Sequence, residues 1–411
     1  MTATTSGSDQ WAKARLVLVA GSLILAISLG TRHSFGLFLQ PISVENGWGR
    51  ETFGFAIALQ NLVWGAAQPL TGMLADRIGA GRVILGGAVL YAAGVALMAV
   101  PQDAFLFSMT AGVLIGLGLS GTTMPIVFGA ISRAVPAEKR SMAMGISMSI
   151  GSFGQFAMLP IALGLMGGFG WASAVLVISA VAALIIPLSF ALSERGRSAP
   201  PPSVEVDKSA GKALSEALAM RDFWLLFLGF FACGFQVVFI AVHLPAFLSD
   251  EGLPPNVATI VLALIGLFNI VGAYSAGVLG GRRSKPALLA WLYLGRAVVI
   301  AAFIMLPITP WSAYIFGAVM GLFWLSTIPL TNGIVAAIFG VRNMSMLGGL
   351  VFFGHQLGSF AGGWLGGFLY DRTGSYDVAW WIAIGLSVVA AALNAPIRET
   401  PVADRLAARA A

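Results

Sequence analysis

The chain alternates between long apolar runs and short polar segments. Each run is long enough to cross the roughly 30 Å hydrocarbon core of a bilayer as a helix. The runs lie at 16–43, 52–75, 83–101, 105–132, 141–167, 171–192, 223–248, 256–280, 286–307, 310–338, 345–369 and 378–396. The pattern predicts an all-α membrane protein with twelve transmembrane helices in two pseudo-symmetric six-helix halves. The halves would span residues 1–192 and 222–411, with a polar, proline-containing linker at 193–221 between them.

The two halves contain related sequences at a spacing of 204 or 205 residues. The aligned pairs are PxxxG at 125–129 and 329–333, SMxxG at 141–145 and 345–349, and GxLxxR at 72–77 and 277–282. Small residues are common wherever membrane helices pack, but matches that follow the same span in each half indicate a duplication. Duplicated halves around a site at the membrane midplane are typical of secondary transporters.

The charged residues are distributed unevenly between the two sides of the predicted bundle. All seventeen Asp and Glu residues lie outside the apolar runs. Of the 23 Lys and Arg residues, only Arg50 and Arg372 lie in loops on the side opposite the termini, and only Arg32 and Arg296 lie within runs. Cytoplasmic loops carry such an excess of basic residues. This bias predicts a multi-pass protein of the cell inner membrane with both termini in the cytoplasm.

The composition excludes several classes of protein. Hydrophobic residues make up 58% of the chain and charged residues 10%, whereas a soluble domain has about 25% charged residues. The net charge of +6 is explained by the loop bias, so we expect no nucleic-acid partner. The N-terminus shows no cleavable signal, and a single cysteine, Cys233, permits no intrachain disulfide. We find no nucleotide-binding motif and no metal-ligand cluster, and we therefore expect no cofactor, no metal and no enzymatic activity.

The loop after the second span reads GMLADRIGAGR, at residues 72–82. It resembles the GxLADRxGRR signature of the major facilitator superfamily, with Ala80 and Gly81 where the family usually has basic residues. Together with the twelve runs and the repeat, the resemblance covers nearly the whole chain and implies the major facilitator fold. In that family this loop stabilises the outward-facing state from the cytoplasmic side. The gating residues that the resemblance implies are Gly72, Asp76, Arg77 and Gly79.

The position of Asp76 in this loop suggests a structural role for its carboxylate. A carboxylate such as that of Asp76 can cap the N-terminus of a neighbouring helix and pair with a basic residue. The second-half copy of the loop, at residues 277–283, has no aspartate. We therefore expect the equivalent contact in the second half to be weaker.

A looser resemblance connects the chain to the monocarboxylate and oxalate–formate branch of the superfamily. It is carried by SFGLFL at 34–39, by Gly47 and Trp48, and by FLYDRTGSY at 368–376. His355 lies roughly where oxalate–formate exchangers have a histidine. In the eighth span, Asn269 and Ala273 replace the acidic and arginine residues of that branch, which is a departure from its pattern.

Five ionisable residues lie within the apolar runs, and all of them are basic. Such residues are costly in a membrane and are by default candidates for function. They are Arg32, His33, His243, Arg296 and His355. No carboxylate within the runs offsets them, so a buried cation here requires an anion from elsewhere. We expect Arg32 and His355 to contribute most, His33 less, His243 to line the outer mouth, and Arg296 to serve packing.

Polar side chains within the spans complete the expected binding cavity, because such side chains face protein or water rather than lipid. Asn61, Trp64 and Gln68 share one face of the second helix. The full set of predicted substrate-binding residues is Arg32, His33, Asn61, Trp64, Gln68, Thr122, Gln155, Gln236, Asn269, Tyr274, Asn332, His355 and Gln356.

These observations lead to one functional hypothesis and a rival. The first is a monomeric secondary transporter of a small organic anion, a mono- or dicarboxylate, which works by alternating access with a proton or a counter-anion as coupling partner. The rival is a transporter of a neutral or larger organic solute, including drug efflux, in which Arg32 is structural. A non-transporting membrane receptor is less favoured, because the chain has no sizeable soluble domain.

Overall fold

A computed structural model describes residues 7–38, 41–42, 45–48, 50–100, 103–193 and 210–402, and helices make up most of them. The termini and most of the linker, residues 194–209, lie outside this range. The long helices are α1 (Gly7–His33), α2 (Arg50–Ile78), α3 (Ala80–Leu97), α4 (Ala104–Ala134), α5 (137–169), α6 (171–183), α7 (Arg221–Asp250), α8 (Pro255–Gly280), α9 (Lys285–Met305), α10 (Pro310–Phe339), α11 (Met344–Thr373) and α12 (Asp377–Asn394).

Most of these helices have the length and hydropathy of a membrane span. Nine helical segments of the described chain qualify. One of them, Ala137–Leu192, has 56 residues, enough for two crossings, and it is divided at Gly170. Gly170 has a φ of 78°, a value that residues with a Cβ rarely adopt. The helices outside the nine are α2 and α11, whose inward-facing sides are rich in glycine and polar residues.

Glycines allow the main helix pairs to approach closely. On the contact between α1 and α5, a methyl group at Gly154 would overlap the backbone of Ala26; on that between α7 and α11, one at Gly358 would overlap the carbonyl of Phe231. Gly154 and Gly358 are 204 residues apart, so the same contact recurs in both halves of the chain. Backbones at this distance gain dispersion energy that larger side chains would prevent.

Two further contacts join the first half of the chain to the second. In the α2–α11 contact, Gly72 lies directly against the carbonyl of Ser345. In the α5–α8 contact, a Cβ on Gly277 would come within 2.8 Å of the carbonyl oxygen of Ser141. Both contacts lie toward the end of the bundle that carries the basic loops, which we call the basic end.

Both fourth helices of the repeat are interrupted near their middle. In α4, Thr123 has extended backbone angles (φ −112°, ψ −171°) between two helical segments. In α10, residues 324–326 separate Pro310–Phe323 from Thr327–Phe339. Interrupted helices leave backbone groups without helical partners, and in a membrane these groups must be satisfied by other parts of the protein.

Candidate functional site

The interruption of α4 is stabilised by polar side chains of α2. The indole nitrogen of Trp64 donates to Gln68 Oε1 (2.9 Å) and Thr123 Oγ1 (3.0 Å). Gln68 Nε2 donates to the carbonyl of Ser120 at 2.8 Å, and Thr122 Oγ1 donates within its own helix. These bonds fix the plane of the Trp64 ring. They also engage the polar groups of Gln68 and Thr122, two predicted substrate ligands, in supporting the interruption.

The interruption of α10 is stabilised by Asn269, which occupies the position equivalent to Trp64 at the 205-residue spacing. Asn269 Oδ1 accepts from the backbone N–H of Leu325 (2.9 Å), and its Nδ2 donates to Ser152 Oγ (2.7 Å). The side chain is fully buried. Both ends of the amide are therefore engaged by the protein, and the predicted role of Asn269 in substrate binding stays a prediction.

Arg296 stabilises the same interruption from α9. Its guanidinium donates to the carbonyl of Phe323 (2.6 Å from Nη2), to that of Trp324, and to Gln236 Oε1 (3.1 Å). The carbonyls at a helix C-terminus carry partial negative charge, which favours a cation at this position. Gln236 in turn donates to the carbonyl of Ala383 at 2.8 Å. Its amide is occupied by protein groups, and the predicted role of Gln236 in substrate binding stays a prediction.

We expect Arg296→Met to lower the free energy of unfolding by about 2–4 kcal/mol, because several buried acceptors lose their donor. Thermal unfolding in detergent measures the effect, with the exposed Arg283→Met as control. A variant with wild-type stability and no transport would instead place Arg296 on the substrate pathway.

Arg32 lies near the end of α1, where its side chain is half-buried. One terminal nitrogen donates to Asn61 Oδ1 at 2.5 Å, and the guanidinium lies 5.2 Å from the centre of the Trp64 ring. Its Nε is buried without a hydrogen-bond partner, and no described carboxylate pairs with it. An amide and an indole face stabilise a cation only partly. The arrangement therefore leaves Arg32 with the capacity to bind an anion.

His355 lies on α11 between two aromatic rings. It stacks on Phe352 with ring centroids 5.3 Å apart, and Phe230 lies 4.8 Å away. Its Nδ1 is 3.3 Å from Gln356 Oε1 and 3.4 Å from Ser359 Oγ. Its Nε2 is buried and has no partner among the described residues. An imidazole held in this way has one nitrogen without a hydrogen-bond partner.

Asn61 and Gln356 connect Arg32 to His355 across the two halves of the chain. Gln356 Nε2 donates to the backbone carbonyl of Asn61 at 3.3 Å, and the Trp64 and Phe352 rings are 5.1 Å apart. We call this group the central cluster; it comprises Arg32, Asn61, Trp64, His355 and Gln356. Only two of its members can carry charge, and both charges are positive.

Of the remaining predicted ligands, Gln68 bonds to Trp64 and His33 follows Arg32 in the chain; the others make no hydrogen bond to the central cluster within the described residues. His33 is exposed, and Tyr274 on α8 is 49% exposed. Gln155 is half-buried. Asn332 donates to its own helix, and its Oδ1 faces Gly348 without a partner. Spacing along a helix indicates which residues share a face, but it does not indicate which neighbouring helix that face contacts.

Sequence reasoning missed Phe230 and Phe352, the aromatic residues that enclose His355. Phe352 precedes His355 by three residues and therefore lies on the same helical face, which was an available signal. Phe230 belongs to α7, and no local pattern connects it to α11.

The loop after α2 contacts the start of α11. Asp76 accepts from the backbone N–H groups of Ser345 (3.3 Å) and Met346 (2.9 Å) and pairs with Arg133 at 2.9 Å. A carboxylate at a helix N-terminus satisfies free N–H groups and the positive end of the helix dipole. Gly79, with a φ of 97°, forms the turn into α3. Arg77 is exposed and takes no part in the contact.

Comparisons with known proteins agree with this architecture. The chain is 25% identical over 407 residues to the uncharacterised MFS-type transporter YcxA of Bacillus subtilis, covering 94% of this chain and 95% of that protein. It is 25% identical over 391 residues to human monocarboxylate transporter 11, covering 93% and 82%. The crystal structure of FucP in the outward conformation matches with a TM-score of 0.70 at 15% identity, over 93% of this chain and 98% of FucP.

A match to a family model identifies the superfamily of the chain. The model of the Major Facilitator Superfamily matches residues 18–327, which include the loop after α2 and most of the central cluster. Members of this family are multi-pass membrane transporters and not enzymes. On this match, the chain belongs to the major facilitator superfamily.

Proposed function

We propose that this transporter carries a small organic anion, a mono- or dicarboxylate, which binds at the central cluster. The observation that carries the proposal is Arg32, a half-buried cation with a partnerless Nε and no described carboxylate beside it. A carboxylate substrate would supply the missing charge, and the Trp64 and Phe352 rings would enclose its apolar part. The similarity to a monocarboxylate transporter supports the same substrate class.

The coupling step would involve His355 or a second anion. Protonation of His355 adds a second positive charge to the central cluster and strengthens anion binding, which is the basis of a proton symporter. Alternatively, one anion leaves and another enters, so that Arg32 is always neutralised. The symport scheme uses Arg32 and His355, one from each half of the chain, whereas the exchange scheme uses Arg32 alone.

The same proposal includes the arrangement of the chain in the membrane. Counting Ala137–Leu192 as two crossings and including α2 and α11, the chain would span the inner membrane twelve times in two six-helix halves. The basic end would face the cytoplasm, with both termini there. The contacts of Gly72, Asp76 and Gly277 would close that end in an outward-facing state, with Asp76 as a gating residue.

An uptake screen tests the proposed substrate class. In proteoliposomes, labelled mono- or dicarboxylates should enter, and uptake should rise with an inward proton gradient or with unlabelled anion inside. Liposomes without protein give the background. Uptake that ignores both the proton gradient and internal anion would contradict both coupling schemes, and preferential uptake of neutral solutes would favour the rival substrate class.

A further inference from the structure

The two contacts between the halves differ in one chemical group. At the α2–α11 contact, the carboxylate of Asp76 caps the first turn of α11 and pairs with Arg133. At the α5–α8 contact, the position equivalent to Asp76 at the 205-residue spacing is Gly281. The close glycine packing recurs, because Gly277 lies against Ser141 as Gly72 lies against Ser345. The helix starts differ, since α11 begins at Met344 and α5 begins at Ala137, one turn before Ser141. The second contact therefore lacks an anion that the first contains.

A cavity lies beside Gly281 at the second contact. It has a volume of about 140 Å³, and its lining includes Glu138, Arg140, Ser141, Gly281 and Lys285. It opens at the N-terminus of α5, where Pro136 provides no side-chain cap to the first turn. The first N–H groups of a long helix favour an oxyanion.

Ser141 gives independent evidence of a ligand. Ser141 lines the cavity and is 3% exposed, and its Oγ has no hydrogen-bond partner among the described residues. A buried hydroxyl that makes no hydrogen bond costs free energy, and a bound acceptor would remove that cost. The first contact needs no such ligand, since Asp76 fills the equivalent position.

The charges around the cavity favour an anion. Arg140 and Lys285 line it, and Arg282 and Arg283 follow in the adjoining loop. Lys285 already pairs with Glu399 (3.0 Å), and Arg140 donates through Nε to the carbonyl of Ser132 (2.8 Å), so both basic groups are held in place. Glu138 is the one acidic residue of the lining, and its side chain is exposed.

We propose that this cavity binds a small oxyanion, such as a phosphate group, which replaces the aspartate missing from the second-half loop. The bound oxyanion accepts from Ser141 Oγ and the first turn of α5 and stabilises the α5–α8 contact at the basic end. The oxyanion is free phosphate or the phosphate of a lipid headgroup. This site is separate from the central cluster and does not depend on the identity of the transported substrate.

The chain itself offers a variant that supplies the missing group. Gly281 has a φ of −80°, and an added Cβ would lie 3.4 Å from the nearest carbonyl oxygen, so a side chain fits there without strain. Gly281→Asp should place a carboxylate in the cavity, as Asp76 does in the first contact. Gly281→Asn has the same size without the charge and is the matched control.

The test follows the unfolding temperature of purified full-length protein during titration with sodium phosphate, with sodium chloride at equal ionic strength as reference. Wild type should show a saturable rise, distinct from the unsaturated stabilisation that phosphate gives to proteins in general. Ser141→Ala should raise the half-saturating concentration about tenfold, because one hydrogen bond to an ion is lost. Gly281→Asp should be more stable than Gly281→Asn without phosphate and should no longer respond to phosphate.

A second arm separates the two sources of the oxyanion. If phosphatidylglycerol added to the detergent solution gives the saturable rise and free phosphate does not, the ligand is a lipid headgroup; phosphatidylcholine controls for lipid in general. The proposal is wrong if wild type responds to neither phosphate nor phosphatidylglycerol. It is also wrong if Ser141→Ala and Gly281→Asp respond as wild type does, or if Gly281→Asp is less stable than Gly281→Asn.

Discussion

Replacing Arg32 with alanine is expected to abolish measurable uptake of carboxylates while the protein stays folded. The guanidinium supplies the ionic contact with the substrate, and losing such a partner costs about 2–5 kcal/mol, or roughly 30-fold to several thousand-fold in affinity. Folding should survive, because the substitution removes a partly desolvated cation whose described contacts are one hydrogen bond to Asn61 and the face of Trp64. Initial uptake rates in proteoliposomes and unfolding temperatures measure the two effects.

Two further variants make this result specific. Arg32→Lys keeps the charge but not the planar geometry that binds a carboxylate through two nitrogens, so we expect it to retain part of the uptake with a raised KM. His33→Ala, at the exposed neighbouring position, should transport at the wild-type rate. If Arg32→Ala carries a carboxylate as fast as wild type, Arg32 is structural and the rival substrate class becomes the better proposal.

Asp76→Asn is expected to weaken closure of the basic end by on the order of 3 kcal/mol, because a buried ion pair loses one partner and Arg133 remains. At 1.4 kcal/mol per factor of ten, this shifts the equilibrium between closed and open basic end about 100-fold. A cysteine placed at the buried Asn332, in a Cys233→Ser background, should then react faster with a water-soluble maleimide added from the basic end. Uptake should slow, since the outward-facing state becomes less populated.

The neighbouring residue provides the control for Asp76. Arg77→Gln removes an exposed charge from the same loop and should leave both maleimide labelling and uptake close to wild type. Equal labelling rates in wild type and Asp76→Asn would show that this carboxylate does not hold the basic end closed.

The sequence predicted the membrane class and the family because both depend on properties that local sequence records. Hydropathy determines where a helix can cross a bilayer, and the loop at 72–82 is a continuous motif. Because charged residues are scarce within the apolar runs, Arg32 and His355 could be identified as candidate functional residues. The sequence predicted that Asp76 would cap a helix and form an ion pair. It did not identify the partners, Met346 and Arg133.

The roles of the amide side chains were harder to predict, because an amide within a span looks the same whether it binds a ligand or a neighbouring backbone. Asn269 and Gln236 were predicted to bind substrate, and in the structure Asn269 bonds to the interruption of α10 while Gln236 bonds to Arg296 beside it. No proline lies within residues 324–326, so the local sequence does not indicate that the helix is interrupted there. The partners of the interruption come from α7, α8 and α9, and this arrangement depends on tertiary packing that no single segment encodes.

The fixed charge of Arg32 has an electrical consequence for the transport cycle on the proposed mechanism. With a monoanion bound and no proton on His355, the site is neutral, so reorientation of the loaded protein moves little charge across the membrane potential. The empty protein carries an unneutralised cation, and moving one elementary charge through 100 mV is worth about 2.3 kcal/mol. Voltage would therefore act on the return of the empty protein rather than on the loaded step, and a second anion that neutralises Arg32 during the return would remove that dependence.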